Sequence, residues 1–143
     1  MNSFPSTSQK WLPSARATKT LLSVVGPAAS PRLQTLYRSL SFNVISANST
    51  RKALSQIKHQ QPDIIVAEFL FSPTYGSQLS NFEALLAGVQ RDAASAKIIA
   101  LYDKKDQAHL LKVSERFPLF ARFSFPVDEH ALKKCLQDIH NNP

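Results

Sequence analysis

A single carboxylate, Glu68, ends a strongly apolar segment in the middle of the chain. The segment opens with Pro62, and residues 63–67 read Asp-Ile-Ile-Val-Ala before Glu68 is reached. Pro62 blocks any further helix, and a short apolar run behind it is typical of a buried strand. A carboxylate in this place can act as a metal ligand or as a nucleophile. Glu68 is therefore the first candidate for chemistry.

No other set of residues forms a competing catalytic, cofactor or metal site. The chain has only three glycines, which excludes a glycine-rich phosphate loop. Cys135 is the only cysteine, so no internal disulfide is possible, and we interpret it as a small core residue. The histidines are predicted to lie on separate helices at the wrong spacing for a metal pair, and they are His59, His109, His130 and His140. We expect no enzyme activity, no cofactor and no metal.

Composition predicts one folded domain with a basic surface. The chain has 143 residues, is 43% hydrophobic and carries a formal net charge of +7. No apolar run approaches the ~20 residues of a membrane span, and residues 1–16 lack the apolar centre of a signal peptide. These features favour a cytoplasmic protein without membrane contact. The charge keeps nucleic-acid binding open as an alternative, although the basic residues form no long run.

The pattern of apolar residues predicts alternating strands and helices behind a flexible tail at residues 1–18. One domain is expected over residues 19–143. Strands are predicted at Thr20–Val25, Phe42–Ala47, Asp63–Phe69, Lys97–Tyr102 and Ala121–Phe125. Helices are predicted to start at Ser30-Pro31, at Asn48 or Ser49, at a Ser80–Glu83 capping box, at Asp106 and after Asp128. Residues Leu70–Leu79 are predicted to form a long loop.

Five such units predict an α/β fold with a parallel sheet and helices on both faces. The expected architecture is doubly wound and of flavodoxin type, with strand order 2-1-3-4-5. In that topology the site lies at the carboxyl ends of strands one and three, the topological switch point. Glu68 would end strand three at this point.

From about Thr20 to His140 the chain resembles a bacterial response-regulator receiver domain, the CheY-like fold. The resemblance depends on the element order, on the Pro62-Asp63 opening of strand three and on the Phe125-Pro126 pair after strand five. Receivers carry Lys-Pro at that last place, and the bond before the proline is usually cis. The resemblance therefore implies a cis peptide at Pro126.

Receiver phosphorylation needs a set of charged groups that this chain has lost. Two acids and the phosphoacceptor Asp hold Mg²⁺, and a hydroxyl and a Lys complete the site, because charge repulsion during phosphoryl transfer must be screened. The resemblance places the acid pair at Gly26 and Pro27, the phosphoacceptor at Glu68, the hydroxyl at Tyr102, the lysine at Phe125 and the aromatic switch residue at Arg122. The site is therefore expected to be degenerate, with no metal.

Three interpretations of Glu68 stay open: a phosphoacceptor, a mimic of a phosphorylated Asp, or a polar strand end that is solvated or paired with Lys104 or Lys105.

The resemblance implies a non-phosphorylatable, stand-alone signalling module. Its protein partner, or a second copy, would bind the region Asp103–Leu136. The loop Leu70–Leu79 would either bind a partner or fill the vacated acidic pocket. The alternatives are a phosphorelay receiver with a relocated site and a charge-driven nucleic-acid binder.

Overall fold

The computed structural model of the chain describes residues 18–24, 31–69 and 77–141. Most of the predicted tail, the Gly26 and Pro27 positions, and residues 70–76 of the predicted loop lie outside the described residues. The strands are β1 (Thr20–Val24), β2 (Asn43–Ala47), β3 (Ile64–Phe69), β4 (Lys97–Tyr102) and β5 (Ala121–Ser124). The helices are α1 (Pro31–Ser39), α2 (Thr50–Gln60), α3 (Ser77–Asp92), α4 (Gln107–Arg116) and α5 (Glu129–Asn141), and a short 3₁₀ helix, Lys104–Asp106, precedes α4.

The five strands form one parallel sheet in the order β2-β1-β3-β4-β5. This confirms the predicted α/β, doubly wound architecture and its 2-1-3-4-5 strand order. The register places Leu22 opposite Ile65, and Ile65 opposite Ile98, across the three central strands. The carboxyl ends of β1 and β3 are therefore neighbours, as the switch-point argument requires.

Each face of the sheet has its own apolar core, because successive side chains of a strand point to opposite faces. One core joins alternate strand residues such as Ile65 and Ala67 to α2, α3 and α4. The other joins Ile64 and Val66 to α1 and α5. The residues on both sides of β3 are almost fully buried, which explains why its sequence is a continuous apolar run rather than an alternating one.

Two of the predicted helix starts are confirmed by their hydrogen bonds. The Ser49 hydroxyl accepts from the backbone N–H of Lys52 at 3.2 Å and caps α2. The Asp128 carboxylate accepts from the backbone N–H groups of His130 and Ala131 at 3.0 and 3.1 Å and caps α5. These are the partners that the free N–H groups of a first helical turn require.

Two sequence predictions are wrong. Helix α3 begins at Ser77, so the loop does not extend to Leu79, and Ser80 lies inside the helix rather than at its cap. Gln78 and Leu79 are good helix formers, and no glycine or proline follows Gly76 to delay the start. His130 and His140 both lie on α5, not on separate helices. Ten residues of helix separate them by about 15 Å, too far for a shared metal ion.

Among the described helices, none combines the length and the apolar character that crossing a lipid bilayer would require.

Candidate functional site

Glu68 is half-buried near the carboxyl end of β3, where it pairs with Leu101 of β4. Because it alternates with Ile64 and Val66, its side chain points to the face that carries α1 and α5. There it lines a small cavity together with Ser23, Gln34 and Tyr37. We call this space the Glu68 cavity. It measures about 10 Å³, which is room for roughly one water molecule.

Tyr37 is the large side chain that closes the Glu68 cavity. It comes from the inner face of α1 and is only 1% exposed. Burial, and then the negative charge of Glu68, raise the pKa of Tyr37 above the ordinary value of a tyrosine. Both causes disfavour the phenolate. Tyr37 therefore offers a neutral hydroxyl beside the carboxylate.

A chain of polar side chains joins the cavity to the edge of the sheet. The Gln34 side-chain Nε2 donates to the Ser23 hydroxyl at 2.8 Å, and the Ser46 hydroxyl donates to Gln34 Oε1 at 3.4 Å. Ser23 is only 2% exposed, so this bond satisfies a hydroxyl that water does not reach. The network connects β1, α1 and β2, and it is consistent with a structural role.

Among the predicted site residues that the structure describes, Tyr102 does not share a face of the sheet with Glu68. Tyr102 pairs with Phe69, and its buried side chain belongs to the core on the opposite face of the sheet. Phe125 is half-buried against the α1 and α5 core, with its N–H donating to the carbonyl oxygen of Tyr102 at 2.7 Å. Arg122 is exposed on β5. The hydroxyl of Tyr102 therefore cannot take the part of a receiver hydroxyl beside Glu68.

The expected cis peptide is confirmed. The bond between Phe125 and Pro126 is cis, and Pro126 itself is exposed. This is the backbone shape that the resemblance implied, and it is present although the lysine is replaced by phenylalanine.

The donor set around Glu68 does not fit a magnesium ion. Protein sites for Mg²⁺ use hard oxygen ligands, chiefly carboxylates, and residues 1–62 contain neither Asp nor Glu. The end of strand one can therefore supply no acid, whichever residue is aligned with the receiver pair. Within residues 18–24, 31–69 and 77–141, no group of three or more His, Cys, Asp or Glu side chains could hold a metal ion.

Sequence reasoning missed three of the residues that surround Glu68: Ser23, Gln34 and Tyr37. Tyr37 is buried on the inner face of α1, and its nearness to Glu68 arises only from tertiary packing. Ser23 did carry a signal, since it is the one hydroxyl among the apolar residues 21–24 of β1. A polar residue inside a buried strand indicates a hydrogen-bond partner from a neighbouring element.

Comparisons with known proteins identify the fold through structure rather than through sequence. No family model matches the chain, and no curated protein matches it. Many of the solved structures that resemble it are response-regulator receiver domains. One is a response regulator from Chloroflexus aurantiacus, with a TM-score of 0.69 at 20% identity, which covers 87% of this chain and 99% of that chain.

Two further receiver structures show the same level of similarity. A signal receiver domain of an HD domain-containing protein from Pseudomonas fluorescens has a TM-score of 0.68 at 20% identity, covering 87% of this chain and 94% of that one. The receiver domain of a sensor histidine kinase from Pseudomonas aeruginosa has a TM-score of 0.67 at 17% identity. The match covers 87% of this chain and 99% of that chain. That kinase domain has a magnesium ion coordinated in its active-site cleft. The chain therefore has the CheY-like receiver fold.

Proposed function

We propose that this chain is a receiver-like signalling module that acts through protein contacts and is not phosphorylated at Glu68. The single observation that carries the proposal is the set of described residues that line the Glu68 cavity, whose polar members besides Glu68 are a buried tyrosine, an amide and a hydroxyl, with no second carboxylate. The receiver fold supports a role in two-component signal transduction, and the donor set does not support its phosphoryl chemistry.

A phosphoryl group on Glu68 would lack two of the charged groups that receivers use, the acid pair after strand one and the lysine after strand five. Phosphoryl transfer to a carboxylate brings negative groups together and depends on a metal ion and a cation to screen them. Phe125 stands where the cation would be needed, and it is packed against apolar side chains. Glu68 therefore keeps the charge of a receiver acid, while Phe125 takes the position of the receiver lysine.

The region Asp103–Leu136 is the partner-binding face that we propose. It contains β5, an edge strand of the sheet. It also contains Phe120, whose side chain is 48% exposed, and the exposed Arg122. Large apolar groups and arginine are enriched where proteins bind each other. The same face is a candidate for association of two copies of the chain.

The test is capture of a partner from the native cell with three forms of the full chain as bait. Arg122→Glu reverses a charge on the proposed face, and Arg51→Glu makes the same change on α2 at the other edge of the sheet. We expect wild type and Arg51→Glu to retain a common partner that Arg122→Glu loses, with or without acetyl phosphate and Mg²⁺. A partner that depends on the phosphodonor, or that Arg122→Glu retains, would contradict the proposal.

A second candidate function, nucleic-acid binding, is favoured by one specific observation. Residues 1–62 contain eight Lys and Arg and no acid, whereas residues 63–143 contain nine Lys and Arg and ten Asp and Glu. Four exposed bases flank the β2 edge and form no ion pair with any carboxylate of the described residues: Arg38, Arg51, Lys52 and Lys58. A surface with a positive electrostatic potential attracts polyanions such as nucleic acids.

Duplex DNA binding at increasing salt separates the two candidates. Contacts to phosphates release counterions, so a true complex weakens steeply with salt. For the second candidate we expect Lys52→Glu combined with Lys58→Glu to abolish binding at low salt. Absence of DNA binding by wild type at low salt would eliminate nucleic-acid binding as the function and would not affect the proposal of signalling through protein contacts.

A further inference from the structure

An apolar groove lies at the amino end of the sheet, opposite to the Glu68 cavity. It is formed by α3, the start of β4 and the connection between α4 and β5, and its main apolar side chains are Leu86, Val89, Ile98, Phe117, Leu119 and Phe120. We call it the Phe120 groove. It measures about 360 Å³, within the ~300–1,000 Å³ range of pockets that hold small molecules or single large side chains.

The wall that carries Phe120 is fixed in place. The N–H of Phe120 donates to the carbonyl oxygen of Ile98 at 2.7 Å. The Nζ of Lys97 lies 5.7 Å from the centre of the Phe120 ring. Phe120 nevertheless stays 48% exposed and is the only exposed large apolar side chain among the described residues. The groove therefore has a firm lining and an uncovered apolar rim.

The chain enters the fold at the same end of the sheet. The N–H of Asp63 donates to the carbonyl oxygen of Thr20 at 2.9 Å, and the N–H of Lys97 donates to the carbonyl oxygen of Asp63 at 3.0 Å. Thr20, Asp63 and Lys97 thus stand side by side on neighbouring strands. Strands lie ~4.8 Å apart, so Thr20 is about 10 Å from Lys97 on the rim of the groove.

The residues that precede Thr20 have the length and the chemistry to fill the groove. Trp11-Leu12 is the one pair of adjacent large apolar residues that precedes Thr20. From Trp11 to Thr20 an extended chain spans about 30 Å at ~3.3 Å per residue, three times the distance required. A segment tethered in this way has an effective concentration in the mM range. It therefore competes well with a free partner, even if the contact is weak.

We propose that the Trp11-Leu12 pair inserts into the Phe120 groove of its own chain. The inserted indole covers the exposed ring of Phe120, so a partner that contacts Phe120 on the Asp103–Leu136 face has to displace the indole first. The contact is apolar, because Lys97 is the one charged side chain among the described residues that line the groove. The bases near Trp11, which are Lys10 and Arg16, have the same sign as Lys97 and add no attraction. This inference does not depend on whether Glu68 is phosphorylated.

Trp11 is the only tryptophan of the chain, so its fluorescence reports the contact directly. We expect its emission in the native full chain to be shifted to the blue relative to the chain in urea. Acrylamide quenching should be at least about twofold weaker, which corresponds to a contact whose intrinsic Kd is no higher than the effective concentration of the tethered segment. Both effects should persist in high salt, because an apolar contact is not screened.

Two matched variants test whether the indole of Trp11 binds in the Phe120 groove. Phe120→Ala should return the emission and the quenching toward those of the unfolded chain, while circular dichroism stays native. Phe123→Ala makes the same change on the other face of β5 and should leave both signals unchanged. A native emission equal to that in urea, or a blue shift that survives Phe120→Ala, would overturn the proposal. So would a blue shift that disappears on dilution, because the indole would then be bound by a second copy.

Discussion

At the carboxyl end of the sheet, Glu68 lines a cavity of about 10 Å³ together with both polar and apolar side chains. At the amino end, apolar side chains line a groove of about 360 Å³ with an exposed phenylalanine on its rim. Tyr37 is buried at the carboxyl end, whereas Phe120 is 48% exposed at the amino end. The two ends of the sheet therefore differ in how far their large side chains are covered, and we expect substitutions at the two ends to have different effects.

The largest expected effect is a difference in the free energy of unfolding between substitutions at the two ends of the sheet. Tyr37→Ala should lower the free energy of unfolding by about 3–5 kcal/mol, as truncation of large buried aromatic residues does. Phe120→Ala should change it by no more than about 0.5 kcal/mol, as at other partly exposed sites. Urea unfolding monitored by circular dichroism measures both. Equal losses of unfolding free energy at the two positions would contradict this expectation, because the groove would then be part of the core.

Tyr37→Phe is the control for that measurement. It retains the ring and removes only the hydroxyl beside Glu68, so the loss should stay within about 1–2 kcal/mol, the range for one hydrogen-bonding group. A loss as large as that of Tyr37→Ala would show that the hydroxyl, and not the packing of the ring, holds this end of the sheet closed.

An intermediate effect is expected from alkaline pH. The pKa of Tyr37 is raised in the folded chain by burial and by Glu68, so the folded state holds its proton more tightly than the unfolded state. Stability is fully present below the ordinary tyrosine pKa of about 10 and is lost as pH rises above it, by up to ~1.4 kcal/mol per pH unit. Unfolding curves of wild type and Tyr37→Phe at several pH values above 9 measure this. Parallel pH dependence of the two proteins would refute the assignment to Tyr37.

The smallest effect is expected for the ion pair that joins α1 to α5 above the Glu68 cavity. Arg32 Nε lies 3.2 Å from Glu129 Oε2, but the arginine side chain is 80% exposed. Exposed pairs of this kind contribute ~0–1 kcal/mol. Arg32→Ala should therefore leave the urea midpoint almost unchanged, and even less changed in high salt. A midpoint shift as large as that of Tyr37→Ala would mean that surface charge, rather than Tyr37, closes this end.

The sequence predicted the elements better than their contacts. Lys97–Tyr102 matches β4 residue for residue, because a buried central strand must be a continuous apolar run. The start of α3 was misplaced, since the Ser80–Glu83 pattern resembles a cap even though the helix already begins at Ser77. The degenerate positions could be proposed from the resemblance. The pairing of Tyr37 with Glu68 could not, because it joins residues of separate elements through packing that no local pattern encodes.

The central claim is that the receiver fold is retained without its phosphoryl chemistry, and intact mass spectrometry tests it most directly. Wild type and Glu68→Asp are incubated with acetyl phosphate and Mg²⁺, with an active receiver domain treated in parallel. We predict that neither form gains a phosphoryl group, because restoring the aspartate alone leaves the magnesium acids and the lysine missing. Stoichiometric phosphorylation at position 68 of wild type would contradict the claim, and a phosphoryl group on another residue would support a relocated site instead.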